Sequence, residues 1–336
     1  MKIDEIIKKL AEPYAASGCE QNVFSLLKEY LEPFGDVYSD NMNNLFCTFG
    51  SGYHILLDAH IDEVGFIVTS VTDDGFLKFS VTGGIDKRML PATEVVVFGK
   101  RMLRGVVSTL PPHLQNDDKR ISEISDFAVD IGCNFEEAKE LVPLGSRIYF
   151  LHRYNRLLDG RICSNCLDDR CGAAALIAVL PKLKEIPLKF TLMFSSQEEV
   201  GTRGAATGAF GKLVDEAIAV DVSFAMSPGC EKKDCGVLSA GPMVGFSPTL
   251  DYKIFNDLKN CAKKAGIAYQ TEIMSGRTGT NADVIQLTES GIKCGLISIP
   301  LRYMHSPGEV VDVADVENTA ALIAAYAKEK AVLLNA

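Results

Sequence analysis

Two hydrophobic rhythms alternate along this chain. Near the N-terminus, Ile6, Ile7, Leu10, Phe24, Leu26, Leu27, Tyr30 and Leu31 recur at helical spacing, interrupted at Pro13 and Gly18, so the first forty residues are expected to be helical. Residues 45–49 and 55–59 are short apolar runs bounded by Gly50 and Gly52, and both are expected to be strands. From about Gly65 the texture changes. Runs rich in Val, Ile, Phe and Thr at 66–71, 76–81, 94–98, 103–108 and 147–151 are punctuated by glycine and predict a small all-β module, with one helix over 122–141.

After Asp159 helix and strand alternate again. Helices are expected over 170–183, 250–265 and 313–334, and strands over 189–195, 217–222 and 294–299. Such alternation implies an α/β fold with a mixed, largely parallel sheet flanked by helices. The simplest organisation is an α/β domain made of residues 1–65 and 160–336, split by an inserted small all-β barrel over 66–159. No internal repeat or low-complexity segment is visible.

Composition narrows the function classes. A chain of 336 residues can bury a sizeable core, and 47% hydrophobic with 23% charged residues is an ordinary globular balance. The net charge of −10, with no run of Lys or Arg, argues against a nucleic-acid partner. Without a basic-then-apolar leader or an apolar run long enough to span a bilayer, a cytoplasmic protein with no membrane partner is expected. Cys163, Cys166 and Cys171 cluster, with Cys230 and Cys235 further on, but two C-x-x-C pairs are absent, so reduced thiols are expected in preference to structural zinc.

Chemistry concentrates at strand ends. His60 closes the run 55–59 in Ala59-His60-Ile61-Asp62-Glu63; an imidazole there can bind metal through one nitrogen while a nearby carboxylate fixes its tautomer. Asp168 lies where the α/β pattern resumes, and alone it would read as a helix cap. Glu198 and Glu199 follow the buried run 189–195, where two like charges need cations or protons to compensate them. Adjacent residues point in different directions, so one can bind metal while the other faces the substrate. Asp221 ends the run 217–220, and His305 follows 294–299. Singly each is a modest signal. Together, two histidines and three carboxylates delivered to one sheet edge form the ligand set of a two-zinc or two-cobalt hydrolytic site, with a carboxylate left over as base.

At this point the chain resembles the glutamyl aminopeptidase/tetrahedral aminopeptidase family of dinuclear metallopeptidases. The resemblance rests on five ordered strings: Ala59-His60-Ile61-Asp62-Glu63-Val64-Gly65-Phe66, Leu167-Asp168-Asp169-Arg170, Gln197-Glu198-Glu199-Val200-Gly201, Ala219-Val220-Asp221 and Arg302-Tyr303-Met304-His305-Ser306-Pro307. It implies that Asp168 bridges two divalent ions, that His60 and Asp221 hold one, and that Glu199 and His305 hold the other. Glu198 resembles the catalytic base and Asp62 the partner of His60. The implied substrates are peptides, cut at the amino terminus. The inserted barrel corresponds to the family's dimerisation and assembly domain, implying homo-oligomers up to a tetrahedral dodecamer.

Two features depart from the family pattern. Asn281 stands in the Gly-rich loop 275–283 where Asp is common, which bears on preference for the first residue, and cysteines flank Asp168. Two other readings compete. An endoglucanase-type glycosidase would use Glu198 and a second carboxylate, though a chain with no tryptophan lacks the usual sugar platform. A non-catalytic shell-forming homologue would keep the fold without turnover.

Overall fold

The computed structural model describes residues 2–114 and 122–335; residues 115–121 of the expected insert lie outside the described residues. An eleven-stranded sheet forms one body and a closed six-stranded barrel another. At the centre of the sheet, Lys189–Ser195, His54–His60, Glu216–Phe224 and Lys293–Arg302 lie side by side and parallel. These strands are apolar almost throughout because both faces are covered. Antiparallel strands extend both edges: Leu45–Phe49 and Asp36–Ser39 on one side, and Glu309–Asp312, Arg161–Ser164 and Tyr154–Arg156 on the other. Tyr154–Arg156 thus pairs into the large sheet although it lies within 66–159.

One sheet face is covered by long helices. Ile3–Leu10 buries Ile3, Ile6, Ile7 and Leu10 along one stripe. Leu167–Leu183 carries Gly172 and Ala173 to Ala175 where it meets the sheet, and Val313–Asn335 packs beside it. Tyr252–Ala265 starts at Asp251, whose carboxylate accepts from the Ile254 N–H at 2.9 Å, and stops at Gly266 with φ of 66°. The opposite face carries only the short helices Arg203–Gly208 and Ala282–Ile285 over a smaller apolar cluster.

The barrel runs in the order Gly65–Val71, Leu77–Thr82, Ala128–Asp130, Met102–Ser108, Glu94–Phe98, Arg147–Phe150 and back to the first strand. Phe66 fills its interior, edge-to-face with Phe79 at 5.0 Å and Phe150 at 5.3 Å.

Two expectations are corrected. The first forty residues are not all helix: helices Ile3–Leu10 and Phe24–Leu31 are joined by a 3₁₀ turn, and Asp36–Ser39 is a strand paired with Leu45–Phe49. Its return is set by Asp40, whose carboxylate accepts from the Met42 and Asn44 N–H groups at 2.9 and 3.0 Å. The helix expected over 122–141 is confined to Phe135–Leu141. Val129 is needed in the barrel wall, opposite Leu77 and Val107, Gly132 turns the chain with φ of 73°, and Asn134 and Glu137 form a reciprocal cap that starts the helix there.

The terminal helix is tied to the sheet by a buried charge. Glu216, 2% exposed, accepts from Tyr326 Oη at 2.8 Å, Tyr53 Oη at 3.0 Å and Lys330 Nζ at 2.7 Å. A Lys330→Met variant is expected to lose about 3 kcal/mol by leaving that carboxylate without a cation. The measurement is the urea midpoint at constant m-value; an unmoved midpoint would show that the two phenols suffice.

Candidate metal centre

The parallel strands deliver His60, Ser195 and Asp221 to one edge. Ser195 and His60 are register partners, Asp58 pairs with Ala219, and Asp221 therefore stands level with His60. Asp221 is also the partner of Ser298. His305 arrives just after Lys293–Arg302, at φ of 59°. Asp168 comes from the far side of the sheet, after Arg161–Ser164 and a left-handed Cys166; the regular helix begins only at Arg170, since Asp168 and Asp169 have non-helical torsions and a cis peptide joins them.

These residues converge around Asp168. Its Oδ1 lies 2.9 Å from His60 Nε2 and its Oδ2 lies 3.1 Å from His305 Nε2. Glu199 Oε2 is 3.2 Å from the same His305 nitrogen, and Asp221 Oδ1 is 3.9 Å from His60 Nε2. All five residues expected as ligands are therefore brought together, with one carboxylate offering one oxygen to each imidazole. Asp169 joins them: its donor atoms and those of His60 and Asp221 lie within 4.8 Å of one another, as do those of His60, Asp168 and Glu199.

Asp62 braces the site from beneath. Its carboxylate accepts from the Glu198 and Glu199 N–H groups at 3.0 and 3.2 Å and from Ser17 Oγ at 2.6 Å. His60 Nδ1 lies 3.1 Å from the Asp62 carbonyl and 3.5 Å from its carboxylate, so the main-chain oxygen is the nearer tautomer-fixing partner. Glu309, which the sequence reading missed, holds both halves of the site. One oxygen accepts from His305 N–H at 2.8 Å, and the other from Leu167 and Asp168 N–H at 2.7 and 3.2 Å. No local pattern marks it, because the Leu167 and Asp168 N–H groups that it joins to nearby His305 lie far away in sequence. Asn281 is buried under the same edge and donates to Asp58 and Ser195, both at 2.8 Å. The barrel reaches in as well: a Cβ added at Gly84 would come within 3.3 Å of His305 Nδ1, and one at Gly83 within 3.4 Å of Glu199.

Electrostatically the centre is overloaded with negative charge. Burial first, then the Asp168 charge, pushes Glu199 well above the usual carboxylate range. Burial likewise pushes up Asp221, Asp169 and Glu309, and takes Glu198 to about 7. Against its own burial, Asp168 is held low by hydrogen bonds from His305 and His60. His60, also opposed by burial, is raised well above its ordinary value by Asp168 and Asp62. Such a set stays together only if positive charge is shared among its members. Imidazole and carboxylate donors at these separations fit divalent cations, which supply that charge. Glu198 is half-buried beside the group, and among the described residues none hydrogen-bonds its carboxyl, leaving it free to exchange a proton.

The cysteines stand apart from these donors. All ten are free thiols, and burial raises Cys166 and Cys171. Cys166 does sit with Glu63 and His152 in a group whose donor atoms lie within 4.8 Å. Glu63 there is already paired with His152 at 2.8 Å and approached by Arg170 at 3.8 Å, so its charge is compensated without a metal.

Known proteins are similar to this chain in sequence and fold. A sequence model of the M42 glutamyl aminopeptidase family matches residues 43–322. A lysyl aminopeptidase from Pyrococcus furiosus is 34% identical over 97% of this chain and 96% of its own length. The Pyrococcus horikoshii TET1 peptidase, described as assembling into a tetrahedron or a large octahedral shell, is 32% identical with a TM-score of 0.87, over 98% of this chain and 100% of the other. A structure from Thermotoga maritima described as an endoglucanase is 29% identical with a TM-score of 0.79, over 98% of both chains. With its family match spanning both the sheet and the barrel, the chain belongs to the M42 glutamyl aminopeptidase family and is a metal-dependent aminopeptidase.

Proposed function

We propose that the chain removes amino-terminal residues from peptides at a two-cation centre. In this reading Asp168 would be shared by both ions, with His60 and Asp221 holding one and Glu199 and His305 the other. The carrying observation is the Asp168 carboxylate, which turns one oxygen to each imidazole. Asp62 acts on His60 and on the Glu198–Glu199 backbone, as a positioning residue.

When bound, zinc or cobalt would acidify a water and polarise the carbonyl of the first peptide bond. Glu198 accepts the proton of the attacking water and returns it to the departing amine. Its raised affinity for a proton, due to burial, suits a group that must take up and release one near neutral pH. The free α-amine of the substrate meets a surround of carboxylates, which restricts cutting to chain ends. A glycosidase would need two carboxyls across a sugar and would leave the paired imidazoles without a role.

The barrel serves self-association, and the assembly is a tetrahedral dodecamer. Support comes from the TET1 peptidase, which matches this chain along its whole length. Light scattering on the purified protein should give a mass near twelve subunits; a monomer would refute the assembly.

Glu198→Gln should lower kcat by about 10²–10⁴-fold, the span of general acid–base catalysis, with metal content by emission spectrometry unchanged. Full activity would remove Glu198 as the base. Chelation should lower the Tm, and reloading zinc or cobalt at a hundredfold excess over Kd should restore about 3 kcal/mol. Asp168→Asn should abolish that restoration, whereas a normal response from this variant would refute a bridging role.

A further inference from the structure

Glu272 is a carboxylate beside the centre that the chemistry above does not use. It lies on Gln270–Ile273, which extends the sheet through Met243–Phe246. Gly245 is the register partner of both Glu272 and Leu296, so Glu272 rises from the same sheet face as Leu296 and, two residues on, Ser298. Ser298 is in turn the partner of Asp221. That face is the one presenting Asp221 and His60.

Having no side chain, Gly245 lets Glu272 cross over to the active edge. One Glu272 oxygen accepts from Ser298 Oγ at 2.8 Å. The other accepts from Ser223 Oγ at 2.5 Å, and Ser223 lies two residues beyond Asp221 on the same strand and face. The group is thus seated within about one strand spacing, roughly 5 Å, of the Asp221 strand, and about 10 Å from that of His60.

Nothing in this seat neutralises its charge. Both partners are uncharged hydroxyls. Among the described residues no Lys or Arg forms an ion pair with Glu272, and it belongs to none of the groups of potential ligands around His60. Arg277, the next cation along the chain, is exposed. A carboxylate offers about four acceptor positions, and the two hydroxyls occupy two of them. Glu272 is half-buried, so a ligand can reach what remains.

We infer that Glu272 receives the ammonium or guanidinium of a basic first residue, so that the enzyme favours peptides beginning with Lys or Arg. The inference rests on the aminopeptidase reading above. Position separates this role from binding the α-amine. The α-amine is one carbon from the scissile carbonyl and must stay near Glu198 and Asp168, whereas the Glu272 carboxylate is held at Ser223 and Ser298, one and two strands from that of His60, within the span of a long flexible stem.

The test measures kcat/KM of the metal-loaded protein on lysyl, arginyl, leucyl and glutamyl p-nitroanilides. The native enzyme should prefer the two basic substrates. Glu272→Gln, which keeps the shape and can keep the seryl contacts, should cut the lysyl-to-leucyl ratio about 10- to 100-fold, the worth of a hydrogen bond to a charged group. The loss should fall mainly in KM. Glu272→Lys should turn preference toward the glutamyl substrate, giving a second reading should the first variant fold poorly. An equal loss on leucyl and lysyl substrates would assign the residue to the α-amine and overturn the inference, as would an unchanged ratio. Leucyl turnover by the native enzyme without preference for Lys or Arg would overturn it alone. Absence of turnover on all four with zinc, cobalt and manganese would overturn the aminopeptidase reading as well.

Discussion

Everything at the active edge depends on keeping Asp168, Glu199 and Asp221 together despite their mutual repulsion. Buried carboxylates a few ångströms apart disfavour one another's ionisation, and burial adds to the cost. Two imidazoles, set on opposite oxygens of Asp168, begin to compensate it. The deficit that remains is what makes the cluster a receptor for divalent cations. Structural charges in this protein are handled differently. Glu216 and Glu63, equally buried, each have cations and hydrogen-bond donors supplied by the chain itself.

Rigidity is the second requirement, and backbone donors meet it. Asp62 and Glu309 between them accept from the N–H groups of Glu198, Glu199, Leu167, Asp168 and His305. Two buried carboxylates therefore fix the main chain on which Asp168, Glu198 and Glu199 are mounted. The barrel also takes part, because Gly83 and Gly84 lie against Glu199 and His305 and leave no room for side chains there. The barrel and the geometry at the centre are consequently linked through a short glycine segment.

The two faces of the sheet are covered unequally. Long helices close one face, and the other has only short helices above the strand ends. Neutral polar groups pave this open side. Asn281 donates to Asp58 and Ser195, and Ser223 and Ser298 hold Glu272. The floor beside the centre is thus shaped by hydrogen bonds rather than ion pairs, which leaves Glu272 with its charge available.

Much of this was legible along the chain. Apolar runs of strand length, separated by helical periods, specify a parallel sheet because each must be buried on both faces. A polar residue ending such a run has to emerge at the sheet edge, and this made His60, Glu199 and Asp221 visible. Where tertiary demands overrode local pattern, the reading failed. Ala128–Asp130 is a strand because the barrel needed a wall, and Asp36–Ser39 is one because an edge was open beside Leu45–Phe49. Glu309 and Glu272 could not be found from sequence, since Glu309 ties nearby His305 to backbone more than a hundred residues away and the partners of Glu272 lie tens of residues away. Periodicity and residue type thus determined which elements form and which side chains could carry chemistry. Strand order and register, which exist only once distant segments pair, decided which carboxylates meet an imidazole, which meet backbone, and which is left facing solvent.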